Sequence, residues 1–315
     1  MTAYLIRRTI ISIIVIFGVA LITFLMLHVI APSPGREVLG IRASTPSVNS
    51  WNKQHGYDRP VWAQFGTYIW DCLHGNLGYS YKLNQPVRTL IIENAPHSIW
   101  LSGSSVILSI LIAVPLGIYQ AVRRNTVSDQ ALTAAAFVTY SMPQNFLGFI
   151  LIDLLAIKFN IFPAEAAQTE KVLPYILNWH ANFLPIATLT LTSVAAYSRY
   201  MRSQGLDALA QDYIRLARAK GLNEPAVLRR HLLRNAFLPM ITLIGVSIPV
   251  LLGGNLVVET LYNSHGLGLL FYNELLQYDF NTVIALTLLA GVATVVGNFV
   301  ADIALTIADP RIRIS

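Results

Sequence analysis

The chain has 315 residues, of which 54% are hydrophobic and only 12% are charged, and its formal net charge is +6. Its mean hydropathy of +0.54 lies outside the usual range of soluble globular domains, so the composition excludes an ordinary soluble enzyme or binding module. The single cysteine, Cys72, cannot form an internal disulfide bond or a cysteine metal site.

Six stretches of 18 to 25 residues contain no Asp, Glu, Lys or Arg. In chain order they are residues 9–30, 98–122, 131–152, 181–198, 237–258 and 283–300. A helix needs about 20 apolar residues to cross the hydrocarbon core of a bilayer. Open sheets are excluded there, because lipid cannot satisfy unpaired backbone groups. The predicted fold class is therefore all-α and membrane-spanning, with six transmembrane helices.

The runs divide the chain into four parts. Residues 1–30 hold the N-terminus and the first helix, which we expect to be retained as a membrane helix rather than cleaved as a signal peptide. Residues 31–97 form an external segment, long enough for a small lid or docking subdomain and rich in tryptophan. Residues 98–308 are the membrane core, interrupted by a polar loop at 199–236, and residues 309–315 are the C-terminus.

The distribution of basic residues predicts the orientation. Of the 22 Lys and Arg residues, 14 lie in four places. These are the segment before the first apolar run, the loop between the second and third runs, the loop between the fourth and fifth runs, and the C-terminus. Basic residues in short loops mark the cytoplasmic side of a membrane. Both termini and the loop at 199–236 are therefore predicted to be cytoplasmic. This topology explains the net positive charge without a nucleic acid partner.

The loop at 199–236 has a helical period. Its apolar residues recur at steps of three and four, which predicts one apolar helical face: Leu206, Leu209, Tyr213 and Leu216. Gly221 predicts the end of this helix at 206–221, because glycine is favoured just beyond a C-terminal cap. Asn223 as N-cap and Pro225 in the first turn predict a second helix. Such helices could lie on anionic lipid or dock a cytoplasmic partner, and periodicity and charge leave both readings open.

The stretches YIRLARAKGL and RRHLLRNAFLP resemble the cytoplasmic loop of ABC importer permeases of the dipeptide, oligopeptide and nickel branch. In that superfamily a Glu-Ala-Ala motif with a downstream glycine forms a coupling helix, which sits in a cleft of the ATP-hydrolysing subunit. Gly221 matches the glycine and Ala217 the second alanine, whereas Arg215 and Leu216 replace the first two positions. The resemblance implies these ATPase contacts: Asp212, Tyr213, Arg215, Ala217, Arg218, Lys220, Gly221 and Glu224.

The resemblance covers essentially the whole chain in order. HGYDRPVWAQFGTYIWDCLHGNLGYSY resembles the family's stretch after the first span, and AVPLGIYQAVRR resembles the end of its second span. SMPQNFLG is similar to its third span, although Gln144 and Asn145 replace a more usual aromatic pair. VVETLYNSHGLGLLFYNELLQYDF and the terminal DPRIR complete the series. The implied fold is that of type I ABC importer permeases in a prokaryotic inner membrane.

The sequence contains no G-x-x-x-x-G-K-[ST] phosphate loop, so we expect this chain to bind no cofactor and to hydrolyse no ATP. ATP and Mg are expected on partner subunits. The resemblance implies two ATP-binding subunits or one fused ATPase, a second homologous permease in a heterodimer, and an extracytoplasmic solute-binding protein. Membrane lipid surrounds the spans.

Polar residues inside or beside the spans are candidates for the translocation pathway, since ionisable groups are costly in a membrane. They are Ser141, Gln144, Asn145, Asp153, Asn255 and Glu259. Helix–helix hydrogen bonding is the alternative role for Ser141 and Asn255. A solvated helix end is the alternative for Asp153 and Glu259, and Glu259 is also a candidate gate contact.

The function predicted from these features is translocation of short peptides by alternating access, driven through the coupling helix. Within the same family, nickel chelates, glutathione or another small solute are alternatives. An ion-coupled secondary transporter or channel is an alternative of another class, although no inverted repeat is apparent. A membrane-embedded enzyme would need clustered ionisable groups, which the spans do not offer.

Overall fold

The computed structural model describes residues 2–30, 33–40, 42–247 and 253–308. This part of the chain is almost entirely helical and includes a two-stranded antiparallel sheet, which confirms the predicted all-α class. The predicted C-terminal segment 309–315 and residues 248–252 of the predicted fifth span lie outside the described residues.

The elements follow in chain order. The first half consists of α1 (Thr2–Ile30), α2 (Pro34–Leu39), α3 (Thr45–Gln54), α4 (Val61–Leu73), β1 (Tyr79–Ser80), β2 (Gln85–Pro86), α5 (Val87–Val122), α6 (Val127–Ser141) and α7 (Gln144–Leu151). The second half consists of α8 (Val172–Leu177), α9 (Trp179–Leu209), α10 (Asp212–Ala219), α11 (Glu224–Val227), α12 (Arg234–Ala236), α13 (Leu238–Val246), α14 (Leu256–Leu261), α15 (Leu267–Leu276) and α16 (Phe280–Ala308). Two π-helical turns, Ile152–Lys158 and Leu228–Leu233, continue α7 and α11.

Among the described residues, three helices are by themselves long and apolar enough to cross a bilayer: Thr9–Ile30 of α1, all of α5, and Phe280–Ala304 of α16. Helix α5 begins at Val87, within the predicted external segment 31–97, so the helix extends beyond the apolar run at 98–122. Likewise α9 continues past the predicted span 181–198 to Leu209. Both extensions carry polar residues, so hydropathy alone did not indicate that the helices continue beyond the apolar runs.

The predicted third span is not one straight helix. Helices α6 and α7 are bent by 105° at residues 142–143. Pro143 lacks a backbone N–H, and a residue before proline avoids the helical region. Met142 accordingly has an extended conformation, with ψ of 132°, and α7 starts afresh at Gln144. The third span is therefore a broken span whose halves can face different neighbours.

The centre of the molecule is the pairing of α5 with α9. Small residues bring the two backbones together, because a Cβ on Gly117 would lie 2.7 Å from the Ser198 carbonyl oxygen. A Cβ on Gly205 would lie 2.8 Å from the Cβ of Ala121. The contact positions rise together along both helices, so α5 and α9 run parallel. Such close approach through small residues is how helices associate without a hydrophobic driving force in lipid.

The remaining spans pack around this pair. Helices α1 and α16 run antiparallel, and their ends form a buried cluster with α4: Ala20, Phe24, Leu27, Phe65, Phe280, Val283 and Ile284. Helix α13 lies against α16, where Gly245 contacts Ala301. The loop at 199–236 lies at one end of the helices, called the basic end below. The segment after α1 and the hairpin of α14 and α15 lie at the other, the far end.

A buried carboxylate holds the far end together. Glu259 is fully buried, and its Oε1 accepts hydrogen bonds from the Ser98 hydroxyl at 2.8 Å and the Asn255 N–H at 2.9 Å. Its Oε2 accepts from the N–H groups of Gly268 at 2.7 Å and Leu269 at 3.2 Å. One side chain thus joins α5, the start of α14 and the first turn of α15.

The glycines of this hairpin serve close packing rather than the turn. The left-handed residue between α14 and α15 is Asn263, with φ of +48°, whereas Gly266 is extended with φ of −153°. A Cβ on Gly266 would lie 2.6 Å from the Ser98 hydroxyl oxygen, and one on Gly268 would lie 2.7 Å from the Leu256 nitrogen. Gly266 and Gly268 are therefore required for the close approach of the hairpin to α5 and to the start of α14, and not for its turn.

At the basic end, an ion pair joins α6 to α9. The Arg202 guanidinium donates two hydrogen bonds of 2.7 Å to the carboxylate of Asp129. Asp129 also accepts from the Asn125 N–H at 2.9 Å, and its side chain is only 2% exposed. The Arg202 side chain is a quarter exposed, so one partner of the pair is buried and the other reaches the surface.

The segment after α1 docks onto the start of α16. The Ser80 hydroxyl donates a hydrogen bond to the Asp279 carboxylate, and the Asn281 amide donates to the Tyr79 carbonyl at 2.9 Å. Glu274 on α15 is also buried here. Burial, reinforced by the neighbouring Asp279 charge, raises the pKa of Glu274 from its ordinary 4.5 to about 7.

We expect Glu259→Gln to lower the free energy of unfolding by about 1–3 kcal/mol, because the amide nitrogen cannot accept hydrogen bonds from buried N–H donors. The measurement is thermal unfolding of the purified chain in detergent, with the exposed Glu170→Gln as control. Equal melting temperatures for Glu259→Gln and the wild type would contradict the clamp.

We expect Glu274→Gln to stabilise the protein at pH 8 but not at pH 4. As pH rises from about 4.5 to about 7, Glu274 ionises in the unfolded chain before it does so in the folded chain. The free energy of unfolding of the wild type therefore falls by about 3 kcal/mol over this range, whereas that of the variant does not. Thermal unfolding at several pH values measures the difference between the two chains. A difference that does not change with pH would refute the assignment.

We expect Asp129→Ala and Arg202→Ala each to destabilise the chain by about 3 kcal/mol, because each leaves the other charge without its partner. The double variant should lose less free energy of unfolding than the sum of the losses of the two single variants. A double-mutant cycle on unfolding measures this coupling, and strictly additive losses would show that the pair does not link α6 to α9.

Candidate functional site

The loop at the basic end is a chain of short packed helices rather than the continuous helix predicted over 206–221. Helix α9 ends at Leu209, and Gln211 is extended with ψ of 149°, so α10 restarts at Asp212. Gly221 then ends this unit in the left-handed region at φ +76°, as predicted. Asn223 caps α11 by accepting the Ala226 N–H at 3.1 Å, also as predicted.

The inner face of α10 is packed against the rest of the chain. Ile214 is fully buried and Ala217 is 4% exposed, while Tyr213 is half-buried. They belong to a buried cluster that joins α9, α10, α11 and α13: Met201, Ala208, Ile214, Ala217, Val227, Leu232, Ala236 and Met240. Ala217 was predicted to contact a partner, but its side chain is enclosed within its own chain. The cluster therefore connects α10 directly to α9 and α13.

The outer face of α10 is open and mostly charged. The other predicted contact residues are all exposed: Asp212, Arg215, Arg218, Lys220, Gly221 and Glu224. The Arg218 guanidinium donates two hydrogen bonds to the Glu224 carboxylate, at 2.7 and 3.2 Å, and so links α10 to α11 across the glycine turn. Arg215 makes a longer contact of 3.5 Å with Asp212. We call these six residues together with Leu216 the coupling surface.

Periodicity placed Leu216 on one apolar helical face with Leu206, Leu209 and Tyr213, but these residues belong to two separate helices and do not form one face. The Leu216 side chain is 56% exposed in the middle of the charged coupling surface. The break at residues 210–211 rotates α10 out of phase with α9, so the spacing from Leu206 no longer describes one helix. An exposed leucine ringed by charges is typical of a protein contact, with an apolar centre and a polar rim.

The predicted pathway residues of the third span gather at its bend. Ser141 and Asn145 are exposed and Gln144 is half-buried, on either side of Pro143. Asp153 is also exposed, but it lies farther along in the π-helical turn. The bend therefore brings the first three together and leaves Asp153 apart.

The side chains of the other two pathway candidates make hydrogen bonds within the chain. Asn255 caps α14 by accepting the Val258 N–H at 3.1 Å, and Glu259 is the buried clamp of the far end. Glu259 is therefore neither a solvated helix end nor a residue of an open pathway. Both readings fail because four donors already surround its carboxylate.

Beside the bend lies a cleft of about 520 Å³ between α6, α9 and α13 that the sequence did not indicate. The Arg199 guanidinium carbon lies 4.0 Å from the centre of the Phe137 ring and 5.1 Å from that of Tyr140. Both rings are about half exposed. Arg199 had been counted only as a loop charge, and the aromatic residues at 137 and 140, one helical turn apart, were the available signal.

Among the described residues, no group of three or more His, Cys, Asp or Glu side chains is placed to hold a metal ion. The ion pair of Asp129 and Arg202 was also missed by sequence reasoning. Its available signal was an acidic residue just before one apolar run and a basic residue just after another.

Known proteins match this chain over its whole length. Residues 1–102 match the N-terminal membrane component of binding-protein-dependent transport systems, and residues 113–314 match their inner membrane component. Oligopeptide transport system permease protein AppB of Bacillus subtilis is 35% identical over 99% of this chain and 100% of its own length. A putative peptide transport system permease protein of Brucella abortus is 32% identical over 99% of both chains.

Glutathione transport system permease protein GsiC of Escherichia coli K12 is 31% identical, again over 99% of both chains. These matches agree with the resemblance carried by the loop motifs and by the apolar helices. The chain therefore belongs to the family of inner membrane components of binding-protein-dependent transport systems and is a multi-pass ABC importer permease of the peptide branch.

Proposed function

We propose that this permease forms the translocation pathway for short peptides. The observation that carries the proposal is the similarity over the full length to AppB and to other peptide permeases. The similarity to GsiC keeps glutathione, itself a small peptide, as a second candidate substrate. The bend of the third span offers polar, uncharged residues, and the adjacent cleft offers Arg199 with the rings of Phe137 and Tyr140. Such groups can contact the backbone of a peptide whatever its side chains are.

The basic end is proposed to be cytoplasmic. The segments assigned to that side carry 14 of the 22 Lys and Arg residues, and basic residues in short loops are retained in the cytoplasm. The far end, with the segment after α1 and the clamp of Glu259, then faces the solute-binding protein.

The coupling surface is proposed to sit on an ATPase subunit. Its leucine and charged rim project outward, while the opposite face of α10 packs into the cluster shared with α9 and α13. A displacement of α10 is therefore transmitted to the spans without being absorbed by a flexible linker. The Asp129–Arg202 pair extends this path from α9 to α6 and so to the bend.

The remaining partners would bind and hydrolyse ATP and complete the pathway. The sequence of this chain has no phosphate loop, so ATP and Mg would be bound and hydrolysed by two ATP-binding subunits or one fused ATPase. A second, homologous permease would complete the pathway in a heterodimer. This subunit would perform no catalysis, and alternating access would follow from closure and reopening of the ATPase pair.

We expect Leu216→Glu to abolish most peptide uptake while the chain remains folded. The side chain is 56% exposed, so the new charge weakens the contact with the ATPase but does not destabilise the core. The measurement is ATP-dependent uptake of a labelled oligopeptide by the complete reconstituted transporter, together with recovery of the ATPase on the tagged permease.

Val127→Glu is the matched control, because Val127 is 83% exposed at the basic end but lies outside the coupling surface. Its acidic side chain also suits the first turn of a helix. Normal uptake and ATPase recovery in Leu216→Glu would overturn the assignment of the coupling surface. Normal coupling without transport of any peptide, but with transport of another solute, would overturn the substrate assignment alone.

A further inference from the structure

Helix α4 occupies an unexpected position for part of an external segment. Phe65, at its middle, packs against α1, with its ring centre 5.3 Å from that of Phe17 and 5.3 Å from that of Phe24. Val61, Tyr68 and other residues of the same face join the cluster shared by α1 and α16. The helix is therefore fastened to the side of two membrane spans rather than held above them.

The depth of this contact follows from the length of α1. Its apolar stretch Thr9–Ile30 has 22 residues. At about 1.5 Å per residue it is about 33 Å long, close to the roughly 30 Å of a hydrocarbon core. Phe24 then lies about 9 Å and Phe17 about 20 Å below the far end of the stretch. Phe65 contacts both rings, so the middle of α4 lies at the depth of the acyl chains.

The opposite face of α4 is apolar, and its aromatic contact within the described part of the chain is that of Trp70 with the adjacent His74, whose ring centres lie 4.5 Å apart. Its large side chains lie eight and three residues apart and are strongly exposed: Trp62 at 67%, Trp70 at 64% and Leu73 at 77%. Gly66 lies between them and is also exposed. Asp71, near its end, is the single charged residue among its 13 residues.

This exposed face continues the lipid-facing surface of α1. Ile13 and Ile14 of α1 are 61% and 63% exposed, and Phe17, which contacts α4, is 47% exposed. A surface that is exposed, apolar and at hydrocarbon depth on a membrane helix is covered by lipid. The same occupant therefore covers the neighbouring face of α4.

We propose that α4 is a membrane-seated helix, embedded in the lipid leaflet at the far end of α1 through Trp62, Trp70 and Leu73. Its 13 residues are too few to cross a bilayer but enough for a short helix lying in one leaflet. Tryptophan is enriched at membrane interfaces, where its ring spans the polar and apolar regions. The polar residues beyond both ends of α4, such as Arg59 and Asn76, return the chain to water.

The proposal changes the role of the segment after α1. Of the described elements of this segment, α2, α3 and the β1–β2 hairpin remain free to contact a soluble partner, whereas α4 anchors the segment to the bilayer. Helix α4 lies next to the start of α16, where the hairpin is held by the hydrogen bonds of Ser80 and Asn281.

The test uses nitroxide labels on the full-length chain with Cys72→Ser, reconstituted in vesicles of phosphatidylethanolamine and phosphatidylglycerol. Labels are placed by Trp62→Cys and Trp70→Cys, with Ile14→Cys as the lipid control and Gln54→Cys, exposed on α3, as the water control. Collision with oxygen reports contact with lipid, and collision with a water-soluble nickel complex reports contact with water.

We expect labels at 62 and 70 to behave like that at 14, with nickel accessibility several-fold below that at 54. Nickel accessibility equal to that at 54 would place α4 in water and overturn the proposal. Low accessibility to both reagents would mean that protein covers the face, which also overturns it. Should the cysteine variants misfold, quenching of native tryptophan fluorescence by bromine-labelled lipid decides: Trp62→Phe with Trp70→Phe should lower the quenched fraction, and an unchanged quenched fraction would overturn the proposal.

Discussion

The close parallel packing of α5 on α9 is the contact on which the rest of the structure depends. In a bilayer, apolar side chains gain nothing by leaving lipid for protein, so close backbone approach and buried hydrogen bonds must hold the helices together. Gly117 and Gly205 permit that approach, and any larger side chain there would meet the facing helix. Helices α6, α7 and α13 all contact this pair, directly or through the short helices of the basic end.

Polar clamps at the two ends complete the arrangement. At the far end, Glu259 joins the hairpin of α14 and α15 to α5, and at the basic end Asp129 and Arg202 join α6 to α9. Between them, the Tyr262 hydroxyl hydrogen-bonds Thr188 of α9 at 2.7 Å and reaches the Gly148 carbonyl oxygen of α7 at 3.3 Å. The bend at Pro143 thus lies between two ends that are held by buried polar contacts.

The coupling surface and the membrane-seated helix illustrate the limits of periodicity. A two-residue break before α10 changed the phase of one helix, so the exposed Leu216 does not share a face with Leu206 and Leu209 as its spacing predicted. In α4 the same alternation of apolar residues describes two apolar faces, one against protein and one exposed. A pattern of spacing states that a face is apolar, but it cannot state whether protein, lipid or a partner covers it.

The sequence by itself determined the all-α class, the apolar runs of α1, α5 and α16, the glycine stop at Gly221 and the N-cap at Asn223. These follow from local hydropathy, backbone sterics and capping, which depend on neighbouring residues only. Only the tertiary structure decided that Glu259 is a clamp, that Ala217 is enclosed, that Asp129 meets Arg202 and that α4 lies against α1. Each of these depends on contacts between residues far apart in the chain, whose distances and orientations no local pattern contains.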